Sequence, residues 1–278
     1  ELEWVHGYRA HDVRNNVRYT SDGNIAYHAA GVSLIYNTMD HTQHFNLDHT
    51  DDILCLAMHP DGTMVATGEA GQEPKIVVWD SYTMKTVVTI KGFHKRAVKY
   101  LAFSPNGKEL ASVGCDDDHS IAIYDWAKKT KLFTAKTDAR KVLDVQYSET
   151  GNLATCGVDH VLFWTRHNDS FVKNNGLFGR KAKIQPQMCV APCGDMMVTG
   201  TVSGHLYVWS GRNCVNAIKA HNKTVNALFS SQHGLISGGR DMKVRIWSRS
   251  MEPGAIFDMS SFGHLPSVRS VALSPDAN

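Results

Sequence analysis

Fifteen histidines, six cysteines and twenty-seven acidic residues give this 278-residue chain many groups that could hold a metal or move a proton. His41, His44 and His49 fall in one stretch, and Cys189 and Cys193 stand four apart. Neither set has the paired spacing of a structural zinc site. Asp116, Asp117 and Asp118 suggest calcium, but the run lacks the alternating oxygens and the glycine of a calcium loop and reads as a solvated turn. Nucleotide and acyl chemistry find no anchor either. The sequence has no Gly-x4-Gly-Lys-Ser/Thr, no dinucleotide fingerprint after a strand and no Gly-x-Ser-x-Gly elbow. The expectation is a protein that is not an enzyme and uses no cofactor and no metal.

Composition narrows the partners. Lys and Arg number 29 against 27 Asp and Glu, a net charge of +2. The basic residues lack interleaved aromatics, so nucleic acid is not expected. No apolar run approaches the ~18 residues that span a bilayer, and no signal peptide opens the chain. A cytoplasmic protein is expected, with Cys55, Cys156 and Cys189 acting as reduced, small apolar side chains.

The elements that must position these residues repeat. VSLIYN, KIVVWD, SIAIYD, HVLFWT, HLYVWS and KVRIWS are strands that end in an aromatic, at Tyr36, Trp79, Tyr124, Trp164, Trp209 and Trp247. The intervals are 43, 45, 40, 45 and 38 residues, the period of a four-stranded propeller blade. Upstream of most of them lies an apolar strand, then a turn such as Asp61-Gly62 or Asn106-Gly107, then a short strand ending in glycine at Gly68, Gly114, Gly157, Gly200 or Gly239. The pattern runs six times and begins a seventh in VRSVALSPDA.

These repeats resemble WD repeats. His221, Ser237, Asp241 and Trp247 match the positions where that family places a hydrogen-bond relay, which would supply the acceptor that a buried indole N–H needs. The second repeat has His49, Thr67 and Trp79 without a clear acid, the third has His94 and Ser112 with Tyr124 for the indole, and the fifth has Thr199 and Trp209 without the histidine. One complete relay is expected. The resemblance implies an all-β, seven-bladed WD-repeat β-propeller with an incomplete or discontinuous last blade.

The opening segment narrows the resemblance. Leu2, Trp4, Val5, Gly7, Tyr8, Arg9 and Arg14 match the hydrophobic motif that opens the propeller region of echinoderm microtubule-associated protein-like proteins, and GLFGRKAK, IKAH and SGGRDMKVRIW are similar to that family further along. Residues 1–10 are expected as the closing outer strand of the last blade, with Trp4 and Tyr8 packed. Because the chain starts at Glu1, it reads as a piece of a longer protein. The resemblance implies a second propeller in that protein, and it marks Val268 to Leu273 as an exposed edge here. The 165–187 connection is long and holds Phe171, Leu177 and Phe178. These aromatics are expected to fold back, with the outer strand of the next blade inside the segment.

In WD-repeat proteins the loops before the first strand and between the second and third gather on one rim. Here those positions supply Arg14, Lys95, Arg96, Arg140, Lys141, Lys223 and Arg240, against Asp51, Asp52 and Asp116 to Asp118. A basic rim would attract an acidic protein through a salt-sensitive field. The resemblance therefore implies a non-catalytic cytoskeletal module that associates with tubulin or microtubules. The alternative is a general WD-repeat scaffold for another protein. A ubiquitin-ligase substrate receptor would carry Trp-Asp-x-Arg, whereas Trp79-Asp80 is followed by Ser81 and Tyr82.

Overall fold

Each expected aromatic landmark falls on the third strand of a four-stranded antiparallel meander. In the computed structural model, which describes residues 2–168, 170–263 and 267–276, those residues hold twenty-four strands and one short 3-10 helix. The first sheet joins β1 (Arg18–Tyr19), β2 (Ile25–Ala29), β3 (Val32–Asn37) and β4 (Thr42–Asn46) in chain order. The second joins β5 (Ile53–Met58), β6 (Met64–Gly71), β7 (Ile76–Asp80) and β8 (Thr86–Ile90), and the third β9 (Arg96–Phe103), β10 (Glu109–Gly114), β11 (Ile121–Asp125) and β12 (Thr130–Ala135); the end of β6 also pairs with β9, so these two meanders are joined into one eight-stranded sheet. The fourth contains β13 (Val142–Tyr147), β14 (Leu153–Gly157), β15 (His160–His167) and β16 (Ser170–Asn175). The fifth contains β17 (Gln187–Cys193), β18 (Met196–Thr201), β19 (His205–Ser210) and β20 (Asn213–Lys219), and the sixth β21 (Val225–Ser231), β22 (Gly234–Gly239), β23 (Lys243–Ser248) and β24 (Pro253–Asp258).

Two compact units result, one of residues up to Lys136 with the described residues from Ala272 on, the other of Thr137–Val271. In the third to sixth sheets the last strand is mostly exposed, whereas the strands before it carry most of the buried residues: β10 and β14 are nearly all buried, and β24 is exposed throughout. Neighbouring sheets share one apolar core. Cys55, Ala57 and Val78 of the second sheet pack with Val98, Leu101 and Leu110 of the third, and Val198 and Val208 of the fifth with Val225, Leu228 and Trp247 of the sixth.

A valine explains two of the expected glycines, Gly68 and Gly200, and also Gly238 beside the expected Gly239, whereas Gly114, Gly157 and Gly239 lie against histidines. A Cβ on Gly68 would stand 2.6 Å from Val98, one on Gly200 2.7 Å from Val225, and one on Gly238 2.6 Å from Val268. Only hydrogen leaves room for the valine arriving from the following repeat. In the first sheet the register is the same, with Ile25 opposite Tyr36 as Val65 is opposite Trp79, and it puts His28 where the second sheet has Gly68. His28 is fully buried, and neither ring nitrogen has a hydrogen-bond partner.

Several expectations change. Residues 2–10 form no strand; Val5 exchanges backbone hydrogen bonds with the Gln43 side chain on β4, and the Arg9 N–H donates to the His28 carbonyl. The reason is local: two amide contacts to a side chain offer no continuous ladder. Trp4 packs edge-on to Tyr36 at 6.0 Å, but Tyr8 is 45% exposed. The described residues 267–276 also form no strand, yet Val268 and Val271 are buried over Gly238, and Val268 is held by Gly239 and Asn226. The outer strand inside the 165–187 connection, β16, pairs with β15 and so completes the fourth sheet and not the next one. No helix among the described residues is long and apolar enough to cross a membrane.

Candidate partner-binding surface

The residues best placed for chemistry face inward. In the sixth sheet His221 Nδ1 lies 2.8 Å from Asp241, and its Nε2 lies 2.8 Å from Ser237 Oγ. The acid, imidazole and hydroxyl have the order of a nucleophilic triad. Ser237 is fully buried, however, and its oxygen accepts the Trp247 indole N–H at 3.0 Å. The partners fix the proton positions: indole N–H to hydroxyl oxygen, hydroxyl to Nε2, and Nδ1–H to the carboxylate. This requires a neutral imidazole, and burial pushes the His221 pKa below its ordinary value although Asp241 opposes it. The arrangement secures the loop before β21 to β22 and β23.

The second sheet carries the same relay in full, where no acid was expected. Trp79 donates to Thr67 at 3.1 Å, Thr67 meets His49 at 2.8 Å, and His49 Nδ1 lies 2.8 Å from Glu69. Glu69 is only two residues beyond Thr67, whereas Asp241 is four beyond Ser237, so a fixed-spacing search passes over it. A glutamate on an extended β6 reaches back as far as an aspartate in the turn. In the fifth sheet Thr199 accepts from Trp209 at 2.9 Å and donates to Gln187 at 2.7 Å, so an amide oxygen stands in for the missing imidazole. The third sheet keeps His94 to Ser112 at 2.6 Å, but Asp116 is 4.0 Å from His94 and is occupied by Ser120.

The expected rim cations divide into two groups. Arg96 pairs with Asp117 at 2.7 Å, and Lys136 with Asp118 at 2.8 Å, so the acidic turn neutralises that corner. Arg140 grips Asp138 with Nε and Nη2 and holds that carboxyl down to about 2. Arg14 is half-buried and engaged. Lys95, Lys141, Lys223 and Arg240 are exposed and make no ion pair among the described residues. Of the opening motif, Leu2 is exposed, Gly7 takes a positive φ, and Arg9 bridges Asp12 at 2.7 Å and Asp52 at 2.6 Å. Arg9 therefore ties the opening segment to the loop before β5, and it holds the Asp12 carboxyl down to about 2.

The small net charge conceals a division. Residues 137–271 carry 15 Lys and Arg against 9 Asp and Glu, a net of +6, and the other residues carry 14 against 18, a net of −4. A second cationic group lies outside the expected rim. Arg180, Lys181 and Lys183 in the β16–β17 connection, with Lys219 on β20, have no carboxylate partner among the described residues. The run Arg180-Lys-Ala-Lys was visible in the sequence, but only the fold brings Lys219 and His205 beside it.

An all-β chain of repeating meanders tied by His, Ser or Thr, and Trp relays belongs to the class of WD-type β-propellers. The particular family follows from comparison with known proteins. A family model described as "Echinoderm microtubule-associated protein first beta-propeller" matches residues 42–277, and a HELP motif model matches residues 1–34; the chain belongs to this propeller family. Among similar proteins are echinoderm microtubule-associated protein-like 4 of Xenopus laevis, 34% identical over 91% of this chain and 31% of the relative, and human echinoderm microtubule-associated protein-like 2, 36% identical over 89% and 41%. Human echinoderm microtubule-associated protein-like 1 is 36% identical over 89% of this chain and 33% of the relative. The chain thus spans well under half the length of these relatives.

Proposed function

We propose that this chain is a non-catalytic interaction module that contributes to tubulin or microtubule association in the cytoskeleton, within a protein that carries a second propeller. The observation that carries the reading is the charge division joined to the family: residues 137–271 hold a net +6, and the relatives are named as microtubule-associated. Unpaired cations such as Lys141, Lys223 and Arg240 supply a field that an acidic protein surface would feel over about one Debye length, ~8 Å at physiological salt. A non-catalytic role is supported by the relays. The histidines at 49 and 221 spend both ring nitrogens on holding loops to strands.

Co-sedimentation of the full-length protein with microtubules, and pull-down of soluble tubulin, test the reading across a salt series. Binding that weakens steadily with salt is the expected result. Absence of binding to both forms at low salt would overturn it.

A further inference from the structure

The β16–β17 connection has an apolar side and a cationic side, and the apolar side is firmly seated. Phe178 packs edge-on to Trp209 at 5.1 Å and to Tyr207 at 6.2 Å. The Leu177 N–H donates to the Arg212 carbonyl, and the Cys214 N–H donates to the Leu177 carbonyl. The Tyr207 hydroxyl accepts the Lys183 N–H at 3.2 Å and donates to the Lys183 carbonyl at 3.1 Å. The loop is therefore fixed before any ligand arrives, which removes an ordering cost from binding.

Its outer side forms a recess of about 490 Å³ whose lining includes Lys181, Lys183, Ile184, Ser203 and His205 and no carboxylate. The Lys181 ammonium donates to the Val215 carbonyl at 2.6 Å, and that of Lys219, cross-strand from His205, donates to the Ser203 carbonyl at 2.7 Å. One of three N–H donors on each is spent in placing the charge, and two are left for a ligand. Ile184 stands beside them at 66% exposed.

We propose that this recess docks an acidic peptide segment, an extended run of glutamates or aspartates, with Lys181, Lys183 and Lys219 taking carboxylates and Ile184 taking an adjoining aliphatic stem. Charge complementarity selects the occupant. Nucleic acid is disfavoured because the aromatic rings here are turned inward: Tyr207 is 3% exposed and Phe178 packs on Trp209. The proposal deepens the microtubule reading in naming where an acidic partner would engage, but it rests on recess chemistry that is testable without tubulin.

The test is fluorescence anisotropy of a labelled glutamate decapeptide against the folded chain, with the glutamine decapeptide as comparison. Binding of the glutamate peptide alone is expected, lost at high salt. Lys181→Glu with Lys183→Glu should weaken it by at least about tenfold, and Lys219→Gln by a smaller factor. Lys108→Glu, in the β9–β10 turn, should leave it unchanged. A histidine readout guards against misfolded variants: in the wild-type chain, bound carboxylates should raise the pKa of His205 followed by NMR. No binding of the glutamate peptide, equal loss in Lys108→Glu, or an unmoved His205 would overturn the proposal. Peptide binding without tubulin binding would uphold the recess and sink the microtubule reading alone.

Discussion

The Glu69 carboxylate sits 2.8 Å from Nδ1 of His49, with the two side chains 3% and 0% exposed. Burial works to raise the Glu69 pKa, but the Thr50 N–H and His49 outweigh it and hold the carboxyl below its ordinary value. Removing either member leaves the other buried without its partner. Glu69→Ala and His49→Ala should each destabilise the chain by about 2 to 4 kcal/mol, and the double variant should cost much less than their sum. Urea unfolding midpoints measure this. Additive losses would show that the two side chains do not act as one unit.

Stability should fall as acid reaches His28. Burial, with help from Arg9 and His49 and against Asp12 and Asp52, lowers its pKa from 6.5 to about 4. The unfolded chain therefore binds more protons than the folded one between those values, and stability rises with pH across that window. The contribution is fully present above about pH 6.5 and is lost as pH falls towards 4, on the order of 3 kcal/mol in all. His28→Gln should flatten the difference between unfolding midpoints measured at neutral pH and near pH 5. A variant with the same pH slope as wild type would exclude His28 as its source.

Gly68, inside β6, should tolerate no methyl unless its neighbour shrinks. Gly68→Ala places a Cβ 2.6 Å from Val98 Cγ1 and 2.8 Å from Cys55 Sγ, which predicts a loss of about 1 to 3 kcal/mol. Val98→Ala alone opens a cavity and also destabilises. Together the two should recover part of the loss, visible as a favourable coupling in a thermal-unfolding cycle. A double variant no better than the sum would show that the glycine serves the backbone instead of the contact.

Which parts of this were legible in sequence follows from what each signal depends on. The aromatic strand ends and Asx-Gly turns are local, because period and positive φ are written in neighbouring residues, and they mark six four-stranded meanders correctly. Glu69 was illegible because its role depends on how far β6 extends, and β6 runs to Gly71 through its pairing with Arg96 and Ala97. Gln187 was illegible because an amide does a histidine's work there only once β17 sets it opposite β18. The pairing of Arg96 and Arg140 was hidden for the opposite reason: each acid lies near in sequence or across one turn, so a count of cations by loop overstated the free charge. His205 lines the same recess as Lys183, with Lys219 across the strand from it, only through tertiary structure.

Free and paired rim cations should behave differently towards an acidic partner. Arg96 with Asp117 is a net-neutral, fully exposed pair, so removing both side chains together leaves the distant field almost unchanged. Lys223 and Arg240, without carboxylate partners among the described residues, lie before β21 and in the β22–β23 turn of the unit with net +6. Removing both should lower the positive field of that unit. In co-sedimentation at low salt, the full-length protein carrying Arg96→Ala and Asp117→Ala should bind microtubules within about twofold of wild type, and Lys223→Ala with Arg240→Ala should bind about tenfold more weakly. The gap should narrow as salt rises, because screening removes the term by which the two variants differ. Equal losses would mean that contact at the Arg96 corner, not the field of the basic unit, carries the association.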